Sequence, residues 1–94
     1  MPTSIIKIKV KPGREADFEA VLQRLIPASN ANEPGILFYQ GFRTSTPGAY
    51  IMLESFKDGE AYKAHTASPH FQADRPALTD CFDGPPEVQR LTDL

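Results

Sequence analysis

Two runs of this chain set the problem that its fold must solve. Residues 35–43, GILFYQGFR, and residues 49–56, AYIMLESF, are rich in β-branched and aromatic side chains and are joined by TSTPG. A short turn between runs of this kind predicts an antiparallel hairpin. Alternation sets Ile36, Phe38 and Phe42 against Leu37 and Tyr39, and Ile51 and Leu53 against Tyr50, Met52 and Phe56. Both faces of the hairpin are therefore apolar, and both need cover.

The rest of the chain supplies cover for one face. Residues 3–11, TSIIKIKVK, alternate Ile6, Ile8 and Val10 with Lys7, Lys9 and Lys11, the period of a strand, which Pro12-Gly13 ends. From Arg14 to about Ser29, Phe18, Val21, Leu22, Leu25 and Ile26 form the single stripe of an amphipathic helix, finished by about Asn32 in the turn-rich SNANEPG. Asp58 can cap a helix from Gly59 to about Thr66, and Ser68-Pro69 starts a second segment bearing Phe71, Arg75 and Leu78, so this helical region bends near Ala67-Ser68. The tail EVQRLTDL reads as a last strand of poor alternation.

The order β-α-β-β-α-β predicts an α+β, ferredoxin-like fold in a single domain over residues 1–94: a four-stranded antiparallel sheet with two helices on one face. At 94 residues the core is small. The most economical cover for the other face is the same face of a second copy, giving a closed two-fold homodimer with a pocket between each sheet and its helices.

Charge and composition narrow the partners. Ten Lys and Arg stand against twelve Asp and Glu with no run of one sign, which offers no footprint for nucleic acid or for an anionic membrane. The start, MPTSIIKIKV, lacks the apolar core of a secretory leader, and no stretch has the apolar length of a membrane span, so a soluble, cytoplasmic protein is expected. Cys81 is the only cysteine, which excludes an internal disulfide and a CxxC metal knuckle and reads as a small buried apolar residue.

One region carries a family likeness. A strand ending Glu54-Ser55-Phe56, a helix with Ala61 and Ala64-His65, and the turn Ser68-Pro69-His70-Phe71 resemble the antibiotic biosynthesis monooxygenase family of the dimeric α+β barrel superfamily. The Lys-Pro-Gly-Arg lead-in to the first helix and the Glu33-Pro-Gly-Ile-Leu-Phe-Tyr lead-in to the second strand are similar to it as well. The resemblance implies a homodimer that oxygenates a small aromatic, phenolic or quinol-like molecule with O2 and no flavin, haem or metal. A deprotonated, electron-rich phenol can itself pass an electron to oxygen, so the protein need only hold the anion in an apolar cavity and manage protons. Relatives isomerise or cleave small compounds or degrade haem. The haem-degrading branch fits poorly, because this chain has Arg75 where that branch places an axial histidine and Ile6 where it places an asparagine.

Within this frame His65 is the expected proton acceptor, with a helix histidine bonded to the neighbouring strand as its structural alternative. Glu54 is expected to orient it, or else to pair with Arg43 or Lys7 across strands. Tyr39, Tyr50 and Tyr62, with Phe38, Phe42 and Phe71, offer flat walls for an aromatic ligand or simply fill a small core. Arg43 could hold an anionic oxygen or stand as a solvated charge. His70, after Pro69, reads as a capping or surface residue with pocket lining as the alternative. A metal wants histidines at i and i+3 or i+4, or a carboxylate close by; a spacing of five across a helix break gives neither, and no metal site is expected. An isomerase or cyclase on the same scaffold, and a non-catalytic small-ligand-binding dimer, remain the alternative functions.

Overall fold

Strand pairing in the computed structural model, which describes residues 1–94, follows the alternation of the sequence. The elements are β1 (Thr3–Lys9), α1 (Glu15–Asn32), β2 (Ile36–Arg43), β3 (Ala49–Phe56), α2 (Gly59–Ala67), α3 (Pro69–Asp80) and β4 (Glu87–Leu91). They build one antiparallel sheet of order β2-β3-β1-β4. This is the ferredoxin-like arrangement, its second helical region divided into α2 and α3.

The inner face of the sheet carries Ile8, Tyr39, Tyr50, Met52 and Phe56, all buried, and Phe18 and Leu25 of α1 are fully buried against it. The outer face has no helix. Register brings Gln40, Leu53, Ile5 and Gln89 into one row, and Phe42, Ile51, Lys7 and Glu87 into the next. Phe38 and Phe42 are 43% and 45% exposed there. One residue departs from the expected alternation. The register between β2 and β3 shifts at Leu37, so Ile36 pairs with Phe56 while Phe38 pairs with Ser55. This bulge turns Ile36 away from Phe38 and packs it against the core.

Two local devices fix where α2 and α3 lie. Asp58 caps α2 through Ala61 N–H at 2.8 Å, and Gly35 is required beneath it, because a Cβ there would collide with that of Ala61. Ser68 then ends one helix and begins the next. Its N–H and Oγ both donate to the carbonyl of His65, and Oγ accepts from the N–H of Phe71, with Pro69 in the first turn of α3. β4 is exposed along its whole length and is held by its backbone ladder to β1, which is why its side chains show so weak an alternation.

Candidate active site

The break at Ser68 brings together two histidines that the sequence sets five residues apart. His65 lies in the last turn of α2 and His70 in the first turn of α3. Both rings face the end of α1, where Glu33 is held extended (φ −120°) ahead of Pro34, its N–H returned to the carbonyl of Ser29. Nδ1 of His65 lies 3.0 and 3.1 Å from the two oxygens of Glu33, and Nε2 of His70 meets the second of them. The three side chains are 3%, 10% and 19% exposed for His65, Glu33 and His70.

A carboxylate accepts hydrogen bonds, so Glu33 places the His65 proton on Nδ1 and leaves the lone pair on Nε2. Nε2 has no partner in the protein. The ring itself is wedged among Tyr39, Phe56 and Phe71, with centroids at 4.8, 5.3 and 5.0 Å. It is therefore fixed in tautomer by one carboxylate and in orientation by three aromatic rings.

His65 stands in the wall of a cavity of about 420 Å3 between the sheet and the helices. Ile6, Ile8 and Met52 form its floor, Leu22 of α1 and Tyr62, Phe71 and Leu78 of the later helices its roof, and Thr66, Arg75, Thr79 and Val88 reach it as well. Tyr39 and Glu54, paired across β2 and β3, share one end. Burial pushes the Glu54 carboxyl above the usual carboxylate range, with the charge of Arg90 acting the other way. Burial, then the charges of Glu54 and Glu33, push the Tyr39 phenol well above its ordinary value, so it stays a neutral hydroxyl. The arrangement combines an apolar chamber, one imidazole whose Nε2 has no partner in the protein, and a carboxyl that burial pushes above its usual range.

Several expectations are corrected. Glu54 lines the cavity but does not hold His65; Glu33 does, because the Nδ1 edge of the ring faces the end of α1 rather than β3. Nor does Glu54 pair with Arg43 or Lys7. His70 is bonded to Glu33 and opens on a separate surface pocket with Asn32, Lys57 and Pro69. The two histidines, expected to act apart, share one carboxylate. Phe38 and Phe42 lie on the outer face. Tyr50 shares the inner face with Tyr39 but sits at the opposite end, under Phe18 (centroids 4.7 Å), and does not reach the cavity. Tyr39, Tyr62, Phe71, His65 and Glu54 are the expected residues that the fold does bring together. Glu33, the carboxylate bonded to His65, stands in the sequence only as part of a strand lead-in. Its signal was a glutamate before Pro-Gly at a helix end, with histidines on both sides of a distant Ser-Pro break.

Ligand atoms of Glu33, His65 and His70 lie within 4.8 Å of one another, a convergence across three elements that the spacing of the two histidines does not express. An ion placed there would have to displace the hydrogen bonds that Glu33 makes to both rings.

Arg43 belongs to a second cluster. Its guanidinium forks onto Glu19, to which Tyr50 Oη donates at 2.6 Å. The bonds from Arg43 and then Tyr50 bring the Glu19 carboxyl down to about 2, while burial and the bond to Glu19 carry the Tyr50 phenol up to about 12. A depressed carboxylate contributes stability that is complete above its ordinary pKa of 4.5 and fades as the pH falls from there toward 2. Glu19→Gln should accordingly melt lower than the parent at pH 7 and at nearly the same temperature near pH 2. Thermal melts of both proteins from pH 2 to pH 7 test this, and a melting-point gap that does not narrow in acid would refute it.

Residues 1–75 match the family model described as antibiotic biosynthesis monooxygenase. The protein YcnE of Bacillus subtilis (strain 168), provisionally named a monooxygenase, is 34% identical over 65 residues, covering 69% of this chain and 68% of YcnE. Two crystal structures provisionally described as antibiotic biosynthesis monooxygenases superpose over 99% of this chain and 89% of theirs. The Caulobacter crescentus CB15 protein is 33% identical with a TM-score of 0.92, and the Bacteroides thetaiotaomicron VPI-5482 protein 29% identical with a TM-score of 0.91.

Proposed function

The chain belongs to the antibiotic biosynthesis monooxygenase family, and from that premise we propose that its cavity binds a small phenolic or quinol-like molecule and promotes its oxygenation by O2, with His65 as the proton acceptor. The observation that carries this reading is the unpartnered Nε2 of His65 in the wall of an apolar cavity, with Nδ1 committed to Glu33. Proton transfer from the bound hydroxyl to Nε2 leaves an electron-rich anion and an imidazolium that Glu33 stabilises. The anion gives one electron to O2, the radical pair combines to a peroxide on the ring carbon, and the O–O bond breaks as that carbon gives up its C–H proton, which leaves with the distal oxygen and the proton returned by the imidazolium as water. For an anthrone-like CH2 the sum is substrate plus O2 giving a quinone carbonyl plus water. The substrate supplies all four electrons, so this route needs no separate electron carrier.

Glu54 favours a second reading. A carboxyl that burial pushes above its usual range, in one cavity with an imidazole whose Nε2 has no protein partner, suits the movement of a proton between two carbons or oxygens of one substrate. That is isomerase chemistry and consumes no O2. Oxygen uptake with a panel of anthrones, naphthols and hydroquinones, in the presence of a chelator, separates the two. Uptake above autoxidation supports the oxygenase, whereas solvent deuterium entering the substrate without uptake supports the isomerase. The same reading includes a homodimer formed through the outer face of the sheet, and a single domain over residues 1–94.

A further inference from the structure

The five arginines divide into two groups. Arg14, Arg24 and Arg43 each hold a carboxylate oxygen within 3.1 Å. Arg75 and Arg90 hold none within 4.0 Å, and these two flank the cavity. Arg75 of α3 lines it directly. Arg90 of β4 lies in the inner-face row of Ser4 and Glu54, near enough that its charge acts on the Glu54 carboxyl. Every other cavity residue except Glu54 and His65 is uncharged. A guanidinium left free beside an apolar chamber is a ready partner for an anionic group on whatever fills it, because its planar fork matches a carboxylate.

The order of His65, Phe71 and Arg75 along the cavity wall bears on the ligand's shape. The ring of Phe71 lies 5.0 Å from that of His65, and Arg75 follows Phe71 by four residues, just over one helical turn or about 6 Å further along α3. A two- or three-ring aromatic with a substituent at each end bridges that distance, and a cavity of about 420 Å3 has room for it. The hydroxyl would sit at Nε2 of His65 and the acidic group between α3 and β4.

We propose that Arg75 is a specificity-determining residue that selects, as substrate, a fused-ring phenol bearing a carboxylate at the end remote from the reacting hydroxyl. Arg90 adds positive potential beside it. This inference rests on the phenol-binding reading given above and narrows it. Its charged surroundings are named by the fold: Glu54 and His65 within the cavity, Arg90 on β4, and Asp74 next to it on α3, already engaged by Arg24 at 2.8 Å.

Equilibrium binding of two matched probes tests it: a hydroxynaphthoate whose hydroxyl and carboxylate stand on opposite rings, and the naphthol without the carboxylate. The native protein should bind the hydroxynaphthoate at least about tenfold more tightly, with the advantage shrinking as salt is added. Arg75→Gln should abolish the advantage, read as the ratio of the two affinities within each protein, and Arg75→Lys should keep part of it. Arg75 is exposed, so neither variant threatens the fold. Equal affinity for the two probes, unmoved by Arg75→Gln, would overturn the inference while leaving the phenol site standing. Binding of neither probe would overturn both.

Discussion

His65→Ala is expected to lower oxygen uptake on the best phenol of the panel by about 10²–10⁴-fold, the range for losing a positioned general base. Affinity for that phenol should change little, because the apolar walls that bind it remain. The prediction follows from geometry. His65 is 2% exposed, held at Nδ1 by Glu33 and walled by Tyr39, Phe56 and Phe71, so the imidazole is fixed in place at the cavity wall. His70 cannot substitute, because its ring lies beyond Glu33 and opens on another pocket. Glu33→Gln should cause a smaller fall, since the base survives while the stabilisation of its imidazolium is lost. Melting curves of each variant keep loss of fold apart from loss of chemistry. Uptake unchanged in His65→Ala would remove His65 from the mechanism.

Leu53→Glu is expected to raise the dissociation constant of the dimer by at least about 100-fold, equivalent to roughly 2.7 kcal/mol. Leu53 lies in the middle of the outer face, on β3 between Gln40 and Ile5 in register, with Ile51 and Phe42 in the next row. No helix covers these residues, and Phe38 and Phe42 are each more than two-fifths exposed in the single chain. A two-fold axis through this face would bring both copies of Leu53 into one interface, so a single substitution buries two like charges. Sedimentation equilibrium of the parent and variant reads the change. A parent protein that stays monomeric at high micromolar concentration would sink the dimer, whatever the variant does.

The parts of the fold visible in the sequence were those set by local chemistry. The stripe from Phe18 to Ile26, the Asp58 cap and the Ser68-Pro69 break each depend on near neighbours in the chain and took the form expected, as did the two faces of the hairpin from Phe38 onward. What alternation could not supply was position along a face. Tyr39 and Tyr50 point the same way, yet α1 seats Phe18 on Tyr50 and leaves Tyr39 beside the cavity. The bulge at Leu37 depends on how β2 meets β3, and a pattern read on β2 alone does not contain it. Glu33 is the largest gap. Its role arises because α1, α2 and α3 end or begin at one point, a three-element convergence that no spacing between His65 and His70 encodes. The unpaired state of Arg75 is hidden for the same reason, because ion pairing is settled by which helices meet.

The claim on which the account depends is that the cavity takes a proton from a bound phenol at His65. The most direct measurement is an absorbance titration, without oxygen, of a nitronaphthol bound to the native protein and to His65→Ala. An apolar cavity alone disfavours the anion and raises the ligand's pKa above its value in water, whereas a base held by Glu33 lowers it. The expected result is a lowered ligand pKa in the native protein and a raised one in His65→Ala. A bound ligand whose pKa is raised equally in both would contradict it.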